Sequence, residues 1–234
     1  MPRHEHVAPA SQNATALDKQ ASSKGPGAIP SPATARGELT RRRILDAAEI
    51  VFGELGYYEA SISEITRRAG VAQGTFYIYF HSKREIFVEL VEDVGERLRA
   101  ATRTAMADAP DRLEAERRGF AAFFDFAANH RRIYSIVQEA GRVAPEAAQA
   151  YYRAISHSYV HGLQIAMEGG TIRTLSPEAT AYALMGIGHF VALRWLIWPQ
   201  ENEETQEEEV HLPDDIFNAV MDFITHGLAL PGKE

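Results

Sequence analysis

The chain has 234 residues, 45% hydrophobic and 24% charged, enough apolar content for a packed core in one or two modest domains. It contains no cysteine, which excludes disulfide scaffolds, thiolate zinc sites, iron–sulfur clusters and cysteine nucleophiles. The net charge of −8 argues against a polyanion as partner of the whole chain, but residues 1–35 carry +1, residues 36–84 carry +2 and residues 85–234 carry −11, so a front half that alone meets phosphates is allowed.

Residues 1–37 are rich in Ala, Ser, Pro, Thr and Gly, and Lys24-Gly25-Pro26-Gly27 and Pro30-Ser31-Pro32 break any helix. A disordered tail is expected, its basic residues (Arg3, Lys19, Lys24, Arg36) either solvated or brushing a polyanion. No hydrophobic signal core opens the chain, and a cytoplasmic protein is expected.

After Thr40 the pattern is helical, with Ile44, Ala47, Ala48, Val51, Phe52 and Leu55 on one face and Gly56 as a stop. Ser61-Ile62-Ser63-Glu64 is a capping box for a short helix through Arg68. Ala69-Gly70-Val71-Ala72 is a tight connection, and Gln73 to Phe80 is another short helix. Ser82-Lys83-Arg84-Glu85 is a second capping box, opening a long helix to about Asp108 with Phe87, Val91, Val94 and Leu98 in one stripe.

The rest also reads as helix. Phe120, Phe123, Phe124 and Ala127 form an aromatic face, and a shorter helix runs from Arg132 to Ala140. Pro145 opens a helix carrying Tyr152, Ile155, Tyr159, Leu163 and Ala166, closed by Gly169-Gly170. Ser176-Pro177-Glu178 opens one that is apolar nearly all round from Tyr182 to Trp198, and Pro199 stops it. The richest apolar stretch, Ala183 to Trp198, is short and holds His189 and Arg194, so no membrane span is expected. A solvated acidic loop, Glu201 to Glu209, precedes a last amphipathic helix with Ile216, Val220, Ile224 and Leu228 aligned. No strand pattern of useful length is present, and an all-α fold follows.

Two short capped helices joined by a glycine-bearing turn, with a longer helix in front, make a helix-turn-helix candidate. The second short helix presents Gln73, Gly74, Thr75, Tyr77, Tyr79 and His81 on a polar face, while Phe76 and Phe80 turn inward. Such a helix is poor at burying itself and suited to reading a groove.

Thr40-Arg41-Arg42-Arg43-Ile44-Leu45-Asp46-Ala47-Ala48, Phe52-Gly53-Glu54-Leu55-Gly56-Tyr57, Ile62-Ser63-Glu64-Ile65 and Ala69 to Lys83 together resemble the amino-terminal signature of TetR-type transcriptional regulators over roughly residues 38–88. Thr66 stands where an alanine is usual, with no consequence expected. The resemblance implies a three-helix DNA-binding module over 38–84 and a helical ligand-binding and dimerisation bundle over 85–230. It implies a homodimer on double-stranded DNA at a palindromic operator, joined through the last two helices, and no cofactor. Gln73 and Thr75 would touch base edges and Gly74 would admit close backbone approach. Tyr77, Lys83, Thr40, Arg41 and Ser61 would hold phosphates, with Tyr79 and His81 beside them. Ser61 and Ser82 sit at helix starts, where free N–H groups favour anions.

The aromatic and Met inventory of the rear half suits a pocket for a mostly apolar effector, and a repressor released from its operator when that effector binds is expected. Expected lining residues are Phe120, Phe123, Phe124, Tyr134, Tyr152 and Tyr159, with Gln138, Arg153, His157, His161 and His189 to orient the ligand. Tyr151-Tyr152 with Ile155, His161-Gly162-Leu163, Gly170 with Ile172-Arg173, and Gly186-Ile187-Gly188 through Arg194-Trp195 are similar to regulators answering fatty acids or acyl-CoA. His157 and His161 are four apart but lack a third ligand, so no metal is expected, and Glu201 to Glu209 lacks calcium-loop spacing. An all-helical enzyme is the rival reading, but no glycine-flanked serine, phosphate loop or paired-carboxylate motif supports it. An interaction scaffold is the other.

Overall fold

The computed structural model describes residues 34–198 and 210–230 together with Gly232. The expected tail before residue 34 and the acidic loop Glu201 to Glu209 lie outside the described residues. Among the described residues the fold is all-α.

Helix α1 (Ala35–Glu59) begins ahead of the expected start because Thr34 caps it, its hydroxyl accepting from Gly37 N at 3.2 Å. Ile44, Leu45, Ala47, Ala48, Val51 and Phe52 form its buried face. Gly56, at φ 72° and ψ 169°, kinks the chain where the sequence calls for a stop. Leu55, next to that kink, leaves the apolar stripe and is half exposed.

Helix α2 (Ile62–Ala69) is capped by Ser61, whose hydroxyl accepts from Glu64 N at 3.1 Å, and ends at Gly70 in the left-handed region. Buried Thr66 satisfies its own hydroxyl on the Ser63 carbonyl, 3.1 Å away. Helix α3 (Gln73–Tyr79) buries Phe76 only, and Phe80 at its end is buried beside it with ring centroids 5.5 Å apart. Each ring removed from water contributes about 1.5–3 kcal/mol, which fastens this short helix by one side. Ser82 caps α4 (Lys83–Met106), and Ile86, Phe87, Leu90, Val91 and Val94 carry the front core along that helix.

The rear half comprises α5 (Arg112–Asn129), α6 (Arg131–Val143), α7 (Pro145–Glu168), α8 (Pro177–Ala192) and α9 (Asp214–Leu228). Asp111 caps α5, Pro145 opens α7, and Ser176 with Pro177 opens α8. A turn of π-helix, Leu193–Ile197, continues α8. One apolar core joins α1 to α4 with α6 and the start of α7, and a second joins α5, the end of α7, α8 and α9. Within the 21-residue stretch Pro177–Ile197 an 18-residue window reaches a mean hydropathy of 1.3 and is 33% buried; a core helix reaches the same length and composition, and the expectation of no membrane span stands uncontradicted.

Candidate DNA-reading surface and effector cavity

On α3 the packing of Phe76 and Phe80 turns the opposite side outward. Gln73, Gly74 and His81 are exposed, Thr75 is half-buried, and Tyr77 and Ile78 are exposed at 51% and 64%. Ile78 was not singled out from the sequence. It adds a methyl-bearing contact to the polar face, a chemistry suited to thymine. A Cβ on Gly74 would meet no atom within 4 Å, so nothing inside the protomer requires glycine there. Tyr79 differs from its expected outward role: it is half-buried and packs on the front core. His81 folds back on Glu85, its ring Nδ1 3.0 Å from a carboxylate oxygen.

Most of the basic side chains around this helix are engaged within the chain. Arg41 pairs with Glu89, and its guanidinium lies 5.3 Å from the Phe80 ring centroid. Arg42 reaches Asp46 and Asp93, both at 2.7 Å, and Arg43 donates to the Ala69 carbonyl at 2.6 Å. Thr40 donates its hydroxyl to Arg36 O at 3.0 Å.

Lys83, expected at a phosphate, is engaged within the chain. Its Nζ donates to the carbonyls of Tyr57, Ala60 and Tyr58 at 2.7, 2.8 and 3.2 Å and lies 4.5 Å from the Tyr57 ring centroid. An ammonium has three donors, so these acceptors use them all. Lys83 therefore fastens the kinked end of α1 to the start of α4.

Behind this module, α4, α5, α6, α7 and α8 enclose a mostly apolar cavity of about 500 Å³. Phe120, Phe123, Tyr134, Tyr151, Tyr152, Leu98, Met106, Val137, Leu184 and Met185 supply most of the wall. Gly188 lets Phe123 and Phe120 close in, since a Cβ there would stand 3.3 Å and 3.4 Å from their rings. Tyr134 and His189 stack with centroids 5.5 Å apart, and the Tyr134 hydroxyl lies 2.6 Å from His189 Nδ1. Burial pushes the Tyr134 phenol up and the His189 imidazole down from their ordinary values, favouring the neutral form of each. Arg99, Arg103, Arg112 and Glu116 also face the cavity.

Residues 44–90 match the sequence profile of bacterial regulatory proteins of the tetR family. That match spans α1 to the start of α4, the helix-turn-helix part of the chain. The chain is similar to the uncharacterized HTH-type transcriptional regulator YdgC of Bacillus subtilis, 40% identical over 73 residues, which are 31% of this chain and 37% of YdgC. The HTH-type transcriptional activator FasR of Mycolicibacterium smegmatis is 32% identical over 99 residues, 42% of this chain and 45% of FasR. The chain thus matches less than half the length of each of these two curated relatives. The crystal structure of the regulator FadR from Bacillus subtilis in complex with stearoyl-CoA shares the fold, with TM-score 0.66 and 21% identity over 80% of this chain and 98% of that one.

Six of the expected ligand residues line the cavity: Phe120, Phe123, Tyr134, Tyr152, Tyr159 and His189. Five do not. Phe124 is buried in the rear core against Phe120, Phe123 and Phe217. Gln138 is exposed, and Arg153, His157 and His161 are exposed along the outer side of α7. The helical period explains this: residues 153, 157 and 161 share a face roughly opposite to 152, 155 and 159. The polar cavity residues missed from sequence (Arg99, Arg103, Arg112 and Glu116) lie in charged stretches that read as solvated helix faces.

Proposed function

We propose that this chain is a ligand-responsive DNA-binding transcriptional regulator. It acts as a homodimeric repressor, released from a palindromic operator by a mostly apolar effector of the fatty-acid or acyl-CoA class. The observation that carries this reading is the apolar cavity walled by α4 and α6, the same helices that pack against the helix-turn-helix module.

In this reading α3 enters the major groove. Gln73 and Thr75 read base edges, Ile78 meets thymine methyl groups, and Gly74 admits the DNA backbone. Tyr77 and the free N–H groups at the Ser61-capped start of α2 hold phosphates, which set position while the groove residues set sequence. Lys83 and Arg41 act indirectly, by fixing α1 and α4 beneath α3.

The second copy covers α8 and α9. Tyr182, Phe190 and Phe223 are exposed at 45%, 67% and 71%, a concentration of large apolar groups that suits an interface. The apolar surplus of Pro177–Ile197 has the same explanation.

Cavity chemistry supports the effector class. The wall is chiefly hydrocarbon and aromatic, and Arg99 and Arg103 on α4 have no acidic partner among the described residues, which suits an anionic head on an apolar chain. The FadR structure named above holds stearoyl-CoA. The effector must bind the two DNA-affinity states unequally, and α4 with α6 is the structural route for that difference. The role is non-enzymatic and cytoplasmic, alongside the chromosome.

The test is a mobility-shift titration. Full-length protein bound to a selected duplex is challenged with acyl-CoAs of increasing chain length. Release with a clear length optimum is expected, and retention of the complex at every length contradicts the effector reading.

A further inference from the structure

Arg112, Glu116 and Tyr159 stand together in the otherwise apolar cavity wall, between α5 and α7. Glu116 is only 1% exposed, and Arg112 Nη2 lies 2.5 Å from its Oε1 across one turn of α5. Tyr159 donates its hydroxyl to the other carboxylate oxygen, Oε2, and its ring lies 5.4 Å below the Arg112 guanidinium. The backbone of α7 is shaped for this cluster: a Cβ on Gly162 would stand 2.5 Å from Arg112 Nη1.

The cluster is nevertheless short of partners. Arg112 Nε is buried without a hydrogen bond, and Arg112 Nη2 and Glu116 Oε1 meet as the close ion pair with no hydrogen bond beyond it. Buried donors and acceptors of charged groups are costly to leave unmade. Burial pushes the Glu116 carboxyl up from its ordinary value, against the pull of Arg112 and Tyr159.

Charge decides what completes it. Arg112 and Glu116 neutralise one another, so a ligand bringing a full charge to this point meets one group of like sign. A neutral group that accepts from Arg112 and donates to Glu116 satisfies both, and an alcohol oxygen does so with a single atom.

We propose that the cavity selects an amphipathic molecule whose hydrocarbon part carries a hydroxyl group, bound jointly by Arg112 and Glu116. The inference rests on the effector reading above and narrows it from plain acyl chains to hydroxylated ones. The selectivity lies in the hydroxyl, because a site built to hydrogen-bond it leaves buried charged groups incomplete when it is missing.

The experiment is calorimetric binding to the full-length protein. The probes are dodecanoic acid and its isomers hydroxylated near the carboxyl, at mid-chain and at the terminus, each as free acid and as CoA thioester. At least one hydroxylated isomer binds about ten- to a hundredfold tighter than its parent. In Glu116→Gln that preference collapses, and the analogue with a carboxylate in place of the preferred hydroxyl gains affinity over wild type, because Arg112 is then an uncompensated cation. Parent and isomers binding wild type within about threefold of one another overturns the proposal and leaves the effector reading standing. Failure of every chain to bind overturns both. The wild-type comparison decides alone if the variant does not fold.

Discussion

Glu139, near the end of α6, accepts a hydrogen bond from the backbone N–H of Tyr57 at 2.8 Å, across 82 residues of sequence. Tyr57 follows the Gly56 kink, and Lys83 holds the Tyr57 carbonyl from the other side. The same α6 lines the cavity through Tyr134 and Val137. A single helix therefore touches both the cavity and the hinge between α1 and the helix-turn-helix. Glu139→Ala leaves the Tyr57 N–H without its partner and lowers stability by about 1–2 kcal/mol. It also weakens effector-driven release from DNA more than it weakens effector binding. Urea unfolding, calorimetry and mobility shift on the same preparation separate these effects. Equal loss in binding and release contradicts the coupling role of α6.

Gly56→Ala tests the kink itself. The residue holds φ at 72°, and an added Cβ would stand 3.0 Å from Glu139 Oε1. Both effects act in one direction, and the expected destabilisation is at least about 1 kcal/mol by urea unfolding.

Lys83→Met removes a cation whose donors are all in use. Three carbonyls lose their partner, and the expected result is a lower melting temperature, with a stability loss of about 1–3 kcal/mol. An unchanged melting temperature together with a flatter dependence of DNA affinity on salt assigns Lys83 to phosphate instead.

Gln73→Ala and Thr75→Ala relax preference at particular base pairs by about 1–3 kcal/mol for each good bidentate contact. Ile78→Ala weakens preference where thymine is read. Tyr77→Phe weakens all duplexes alike. Affinity for a panel of single-base operator variants resolves these classes, and a uniform loss for every variant refutes the division of roles.

His189 gives the pH dependence. Burial lowers its folded-state value below the ordinary 6.5. Above that value both folded and unfolded chains hold a neutral ring. As pH falls through it, the unfolded chain takes a proton that the folded chain resists, so stability falls until the folded-state value is passed. His130 is lowered too, and Glu116, raised by burial, acts in the opposite sense in the acidic range. Wild type is therefore compared with His189→Asn: the variant loses less stability between about pH 7.5 and pH 5.5 in thermal melts.

Much of the front half was legible in sequence because its signals are local. Ser61, Gly70 and Ser82 act within one helical turn of their own positions, and Phe76 with Phe80 declares which side of α3 is buried. The contacts of Lys83 were not legible because its carbonyl partners lie more than twenty residues away, at a kink whose direction no local pattern encodes. In the rear half the aromatic residues were visible but their register was not fully used. Tyr152 and Tyr159 already define the cavity side of α7, and that phase places His157 and His161 outside. Arg112 and Glu116 carried no sequence signal beyond an ordinary helical ion pair; their burial depends on Gly162 and Tyr159 from another helix.

The central claim is that α3 reads a duplex, and selection of bound sequences from a random double-stranded pool by the full-length protein tests it most directly. The account predicts enrichment of an inverted repeat whose half-site centres lie about 10–10.5 base pairs, or a multiple, apart, with affinity falling steeply as salt rises. A pool that emerges without enriched sequence, or selected duplexes bound no more tightly than unrelated DNA, contradicts it.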